Sequence, residues 1–236
     1  MILQLVVFDL DGTLVTAEID FHAMRQAIQD LLISNGFPLE VLPMNSTQDL
    51  LRSAFAYAQS QGKSPVEISE LRDKVYAVAV EIEWEGARKA QLVRGARETL
   101  QELRNRGVNV AILTNDNREV ADFLLTKFEM DALVNLLVSR DEVPHMKPST
   151  EGLELILKHF GVTPSQTIFI GDSTIDIMTA KKLRIPCIAR QSKVRTEKEL
   201  HAEGAIAVFP SLEPIITYLD EQGLLPLPTK NTRTKG

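Results

Sequence analysis

Residues 3–16 read Leu-Gln-Leu-Val-Val-Phe-Asp-Leu-Asp-Gly-Thr-Leu-Val-Thr, and the fold turns on this stretch. A short apolar run ends abruptly in two acids, Asp9 and Asp11, followed by Gly12. A strand with one wet face alternates apolar and polar residues, whereas a strand covered on both faces does not. The run does not alternate, so it predicts a buried strand of a parallel sheet. Gly12 permits the sharp turn that leaves such a strand, and Thr13 is expected to fix that turn.

Working outward, the same signature recurs in NVAILTN at 109–115, LVNLLVS at 133–139 and QTIFIGD at 166–172. Weaker runs follow, PCIAR at 186–190 and AIAVF at 205–209. Helical patterns separate them. GARETLQELRNRG starts near Gly95 and stops at Gly107, and segment 149–160 repeats Leu153, Ile156, Leu157 and Phe160 before Gly161. Glycine after the last periodic residue is a helix stop. Strands alternating with helices predict βαβ units, hence an α/β, doubly wound, Rossmann-like parallel sheet.

Residues 17–92 break the rhythm. Phe21, Met24, Ile28, Leu31 and Leu32 follow helical spacing, as do Leu50, Leu51, Ala54, Phe55 and Ala58. A third helix opens with Ser64 as N-cap, Pro65 at the first position and Glu67 completing a capping box. The expectation is a core from 1–16 and 93–227 with an α-helical domain inserted at 17–92. The polar segment 228–236, PTKNTRTKG, reads as a frayed tail.

The 236 residues are 44% hydrophobic and 25% charged, which excludes a disordered chain or a coiled-coil rod. A net charge of −6 does not favour nucleic acid as a partner. No apolar stretch is long enough to cross a bilayer, and no basic segment precedes the first apolar run, so no signal peptide and no membrane partner are expected. The single cysteine, Cys187, cannot form an internal disulfide, which fits a cytoplasmic setting. A monomer or homodimer is expected.

The chemistry lies at the strand ends. The first ends in Asp9 and Asp11, the second in Thr114 and Asn115, and the fourth in Gly171 and Asp172, with Asp176 one helical turn on. Lys147 lies in the loop after the third. In an open parallel sheet, ligands bind outside the carboxyl ends of the strands. Up to four carboxylates would gather there, and like charges that close cannot all ionise without compensation. A divalent cation is the usual remedy, and Mg²⁺ suits oxygen ligands. Lys147 adds a fixed positive charge, and Thr114 and Asn115 can donate hydrogen bonds, so the pocket suits a phosphate dianion.

VVFDLDGTLV, ILTN, HMKPS and GDSTIDI, in this order, resemble the four motifs of the haloacid-dehalogenase-like (HAD) hydrolase superfamily, close to its phosphoglycolate-phosphatase-like branch. The helical insert resembles that superfamily's C1 cap, which would close over the phosphate. The resemblance implies a phosphatase acting on a small phosphorylated metabolite. Asp9 would be the nucleophile that forms an aspartyl-phosphate, and Asp11 the general acid and then the base. The side chains of Asp9 and Asp172, with the backbone carbonyl of Asp11, would bind Mg²⁺, and Asp176 would hold metal-bound water or orient the cluster. Thr114 and Asn115 would bind the transferring phosphoryl group, and Lys147 would neutralise Asp9 and the phosphate together. Asp11 argues against carbon–halogen cleavage, because a halide needs no protonation. The sequence departs from the usual pattern after Ala180, where KKLRIP replaces small residues and a glycine.

Two other functions share this framework. A phosphomutase would return the phosphoryl group to a second hydroxyl, and a non-catalytic binding module would have lost Asp9, Asp11 or Lys147. Phosphonate hydrolysis would need a lysine in the insert, and none stands out. His22, His145, His159 and His201 read as structural, Cys187 as a buried apolar residue, and Trp84 as packing within the insert. Arg94 and Arg118 are candidate anion binders that stay outside the expected set.

Overall fold

The computed structural model describes residues 2–192 and 195–227; the expected tail at 228–236 lies outside the described residues. Along the chain, β1 (Leu5–Phe8) and β2 (Val15–Thr16) precede α1 (Phe21–Ser34), α2 (Thr47–Ser60) and α3 (Pro65–Lys89). Then come β3 (Gln91–Leu92), α4 (Ala96–Asn105), β4 (Asn109–Leu113), α5 (Arg118–Lys127), β5 (Leu136–Val138) and α6 (Glu151–Phe160). The remainder is β6 (Thr167–Gly171), α7 (Thr174–Lys182), β7 (Cys187–Arg190), α8 (Glu197–Glu203), β8 (Ala207–Phe209) and α9 (Glu213–Glu221). Among the described residues no helix is long and apolar enough to cross a membrane.

The chain divides into two compact units, one built up to Thr16 and again from Ala90, the other from Ala17–Lys89. The first holds a parallel sheet in the order β5-β4-β1-β6-β7-β8. β1 is central and wholly buried, which is why its sequence does not alternate. Leu5, Val7, Ala111, Leu113, Phe169 and Ala189 pack with Leu153, Ile156, Ile177 and Leu200 in one apolar layer. Side chains two apart on a strand share a face, so the Leu5–Val7 face continues to Asp9. Register aligns the strand ends: Phe8 pairs with Ile112 on one side and with Ile170 on the other. Asp9, Leu113 and Gly171 therefore follow at one level.

The second unit is helical. Met24, Ile28 and Leu32 on α1, Leu50, Ala54 and Ala58 on α2, and Leu71, Val75 and Ala79 on α3 are buried, each set at a four-residue spacing that keeps one helix face. The three helices contact one another. Ser64 starts α3 as its sequence implies: its backbone N–H donates to Glu67 Oε2 at 2.8 Å, and its Oγ accepts from the Glu67 N–H at 3.3 Å. Phe21 is an exception to the apolar spacing, being 48% exposed.

One boundary differs from the sequence reading. The division falls after Lys89 rather than after Leu92, because Gln91 and Leu92 pair antiparallel with Thr16 and Val15. Two-residue strands carry no periodicity that could have marked them. After α7, Arg184 takes a φ of 58°, in the left-handed region that favours glycine. This is the stretch where the small residues and glycine are replaced.

Candidate active site

The turn after β1 is built around its own backbone. Gly12 N–H donates to Val15 O at 2.7 Å, and the N–H groups of Leu14 and Val15 both reach Leu10 O, at 2.9 and 3.1 Å. Gly12 sits at φ 83°, and a Cβ there would collide with the Asp172 carboxylate, so conformation and space both demand glycine. Thr13 does more than close the turn. Its hydroxyl donates to Asp9 Oδ2 at 3.1 Å and so orients that carboxylate.

Lys147 joins the motifs. Its Nζ lies 2.6 Å from Asp9 Oδ1 and 2.6 Å from Asp176 Oδ1, with all three side chains buried. Asp176 is the N3 residue of α7, and its Oδ2 accepts from Ser173 Oγ at 2.6 Å and from the Ser173 N–H at 3.1 Å. One oxygen of Asp176 thus caps a helix while the other holds the lysine. Asn115 holds the same lysine from behind: Lys147 N–H donates to Asn115 Oδ1 at 2.9 Å, and Asn115 Nδ2 donates to Lys147 O at 3.1 Å. The Asn115 side chain thus clamps the Lys147 backbone.

Thr114 is buried at the end of β4. Its hydroxyl donates to Asp116 Oδ2 at 2.8 Å and accepts the Asp116 N–H at 3.1 Å. Asp116 is itself buried, and that burial raises its pKa, opposed by the Thr114 hydrogen bond and by the charges of Arg140 and Lys147.

Three carboxylate oxygens, one each from Asp9, Asp172 and Asp176, lie within 4.8 Å of one another. The Asp11 carboxylate is outside this group and is half-buried. Burial pushes the Asp9 carboxyl well above its usual range; Lys147 draws it down, while Asp176 and Asp172 push it further up. Burial, then repulsion from Asp176, pushes Asp172 up to about 6. Burial alone would favour a neutral Lys147, but Asp176 and Asp9 more than offset it, so the ammonium stays protonated. Three carboxylates against one ammonium leave two negative charges (−3 + 1 = −2). Hard oxygen donors carrying that excess fit a divalent cation. Each oxygen of Asp176 already accepts a hydrogen bond, from Lys147 and from Ser173, and so does each oxygen of Asp9, from Lys147 and from Thr13.

Sequence reasoning passed over two residues of this edge. Asp116 follows Thr114 by two positions and anchors its hydroxyl. Arg190 ends β7, and its Nη1 donates to Gly12 O at 2.6 Å. The strand-end rule that selected Asp172 applies equally to Arg190. The residues set aside are engaged elsewhere. Arg94 pairs with Glu213, Arg118 with Asp122 and Glu142, and the exposed His145 with Glu151. Cys187 is buried in the core.

A family model described as haloacid dehalogenase-like hydrolase matches residues 3–184. A phosphoglycolate phosphatase of Pseudomonas fluorescens is 30% identical over 223 residues, covering 90% of this chain and 78% of that protein. One of Pseudomonas putida is 28% identical over 220 residues, with the same coverage of both chains. Among solved structures, a hydrolase from Pseudomonas syringae superposes with a TM-score of 0.65 at 21% identity, covering 92% of this chain and 97% of that one. A HAD family hydrolase from Deinococcus radiodurans, with bound phosphate and sodium, does so with a TM-score of 0.63 at 24% identity, covering 96% and 99%.

Proposed function

The chain belongs to the haloacid dehalogenase-like hydrolase family, and we propose that it is a Mg²⁺-dependent phosphatase that hydrolyses a small phosphomonoester through an aspartyl-phosphate on Asp9. One observation carries the reading: Lys147 Nζ bridges the buried Asp9 and Asp176 at 2.6 Å each, beside the carboxylate of Asp172. A buried acid that is oriented, partly neutralised and set at a strand end is built to attack an electrophile rather than to support the sheet.

Asp9 attacks phosphorus; the bond to the ester oxygen breaks as Asp11 gives that oxygen a proton. Asp11, now a carboxylate, takes a proton from water, which attacks the phosphoryl group and restores Asp9 with release of inorganic phosphate. Thr13 and Lys147 each donate to one oxygen of Asp9 and hold it in line. Asn115 fixes the backbone from which Lys147 reaches in. Thr114 would bind the phosphoryl group from the end of β4, giving up the hydrogen bond that its hydroxyl donates to Asp116. Asp9, Asp172 and the Asp11 carbonyl would hold the Mg²⁺, with Asp176 orienting the group. There the ion would supply positive charge to offset the negative charge of the transferring phosphoryl oxygens. The single buried cysteine suits the cytoplasm.

The test is inorganic phosphate release from a panel of phosphate esters, with Mg²⁺ and with EDTA. The names of the curated relatives put 2-phosphoglycolate first on the panel. Release that needs Mg²⁺, stops with EDTA and is inhibited by Ca²⁺ is expected, since calcium's looser coordination misplaces the nucleophile. Isomerisation without release would make the protein a mutase. No turnover of any ester would remove the enzymatic reading.

A further inference from the structure

Arg190 brings a second positive charge to this edge, on the side opposite Lys147 in the strand order. β6 and β7 pair Gly171 with Ala189, so the next step in register sets Asp172 beside Arg190. The Arg190 Nη1 donates to Gly12 O at 2.6 Å, and Gly12 is the residue whose missing Cβ makes room for the Asp172 carboxylate. Guanidinium and carboxylate therefore flank the same glycine. The field of Arg190 acts on Asp172 and on Asp11. Its Nε is buried without a hydrogen-bond partner, and the Gly12 carbonyl orients the guanidinium through Nη1. Asp172 is further held by a hydrogen bond from Ser192.

We propose that Arg190 is a positioning residue for the cation site: it ties down the Gly12 turn and, by its fixed charge, weakens the grip of Asp172 on the divalent ion. Charge arithmetic supports it. Asp9, Asp172 and Asp176 against Lys147 and Arg190 leave −1 (−3 + 2). Without Arg190 the balance would be −2 (−3 + 1), a cluster that holds a cation harder and repels a phosphate dianion more. The inference rests on the cation-dependent reading above.

The test is calorimetric titration of MgCl₂ into the full-length protein without substrate, comparing wild type, Arg190→Gln and Arg190→Lys. Glutamine keeps a donor but removes the charge; lysine keeps the charge. Removal of a unit charge from beside a bound dication is expected to tighten Mg²⁺ binding about tenfold in Arg190→Gln. Arg190→Lys should return the affinity to within about threefold of wild type. A merely structural role would weaken binding in both variants. Unchanged or weaker binding in Arg190→Gln, with wild type binding normally, overturns the inference alone. Absence of binding by wild type overturns the cation site and the inference together.

Discussion

Asp172 offers a perturbation whose sign reverses with conditions. In the metal-free protein its carboxyl is pushed up to about 6 from an ordinary value of 3.8, first by burial and then by Asp176. A carboxyl whose folded pKa is raised keeps its proton longer in the folded state than in the unfolded one. Its contribution to stability is therefore present below about pH 4 and is lost as pH rises through 6. At about 1.4 kcal/mol per pH unit, the ionised side chain costs the folded protein about 3 kcal/mol at pH 8. Asp172→Asn removes that charge at nearly the same volume. In EDTA at pH 8 the variant should be more stable than wild type by up to about 3 kcal/mol, or roughly 6–12 °C in Tm for a chain of this size. At pH 3.5, where the wild-type carboxyl is itself protonated, the gain should vanish. With millimolar Mg²⁺ at pH 8 the order should invert, because wild type gains the binding free energy of the ion and the variant does not. Thermal melts followed by circular dichroism in the three conditions decide the matter. Equal destabilisation by Asp172→Asn in EDTA at both pH values would refute the strained-carboxylate reasoning.

Asp9→Asn should cut phosphate release by at least about a thousandfold with an unchanged circular dichroism spectrum, since the nucleophile is lost and its shape is kept; undiminished release would reassign the nucleophile. Asn115→Ala removes both hydrogen bonds to the Lys147 backbone and should lower kcat about tenfold, with Mg²⁺ affinity in calorimetry unchanged. Arg184→Gly relieves a left-handed residue and should raise the urea midpoint, by up to about 1 kcal/mol in stability; a lowered midpoint would mean that the Arg184 side chain contributes more than its backbone strain costs.

Much of this molecule is legible along the chain. Buried strands show as unbroken apolar runs because both faces of a central parallel strand are covered, and all six runs occur in the sheet. The helix start at Ser64 is legible because a capping box closes over three residues. Asp9, Asp172 and Lys147 were found by a rule that is also nearly local: polar residues just beyond the carboxyl ends of parallel strands meet at one edge. What each side chain does at that edge was not legible. Asn115 clamps a backbone 32 residues away, Thr13 holds Asp9 rather than only its turn, and Arg190 reaches a carbonyl 178 residues away. Those partners depend on strand order and register, which no short window of sequence encodes. β2 and β3 illustrate the same limit, since they exist only as each other's hydrogen-bond partners. Periodicity and strand-end chemistry, read along the chain, thus determined the architecture and the acids and lysine of the edge. The closed folded chain decided the hydrogen-bond partners and the placement of charge, because those are set between segments distant in sequence.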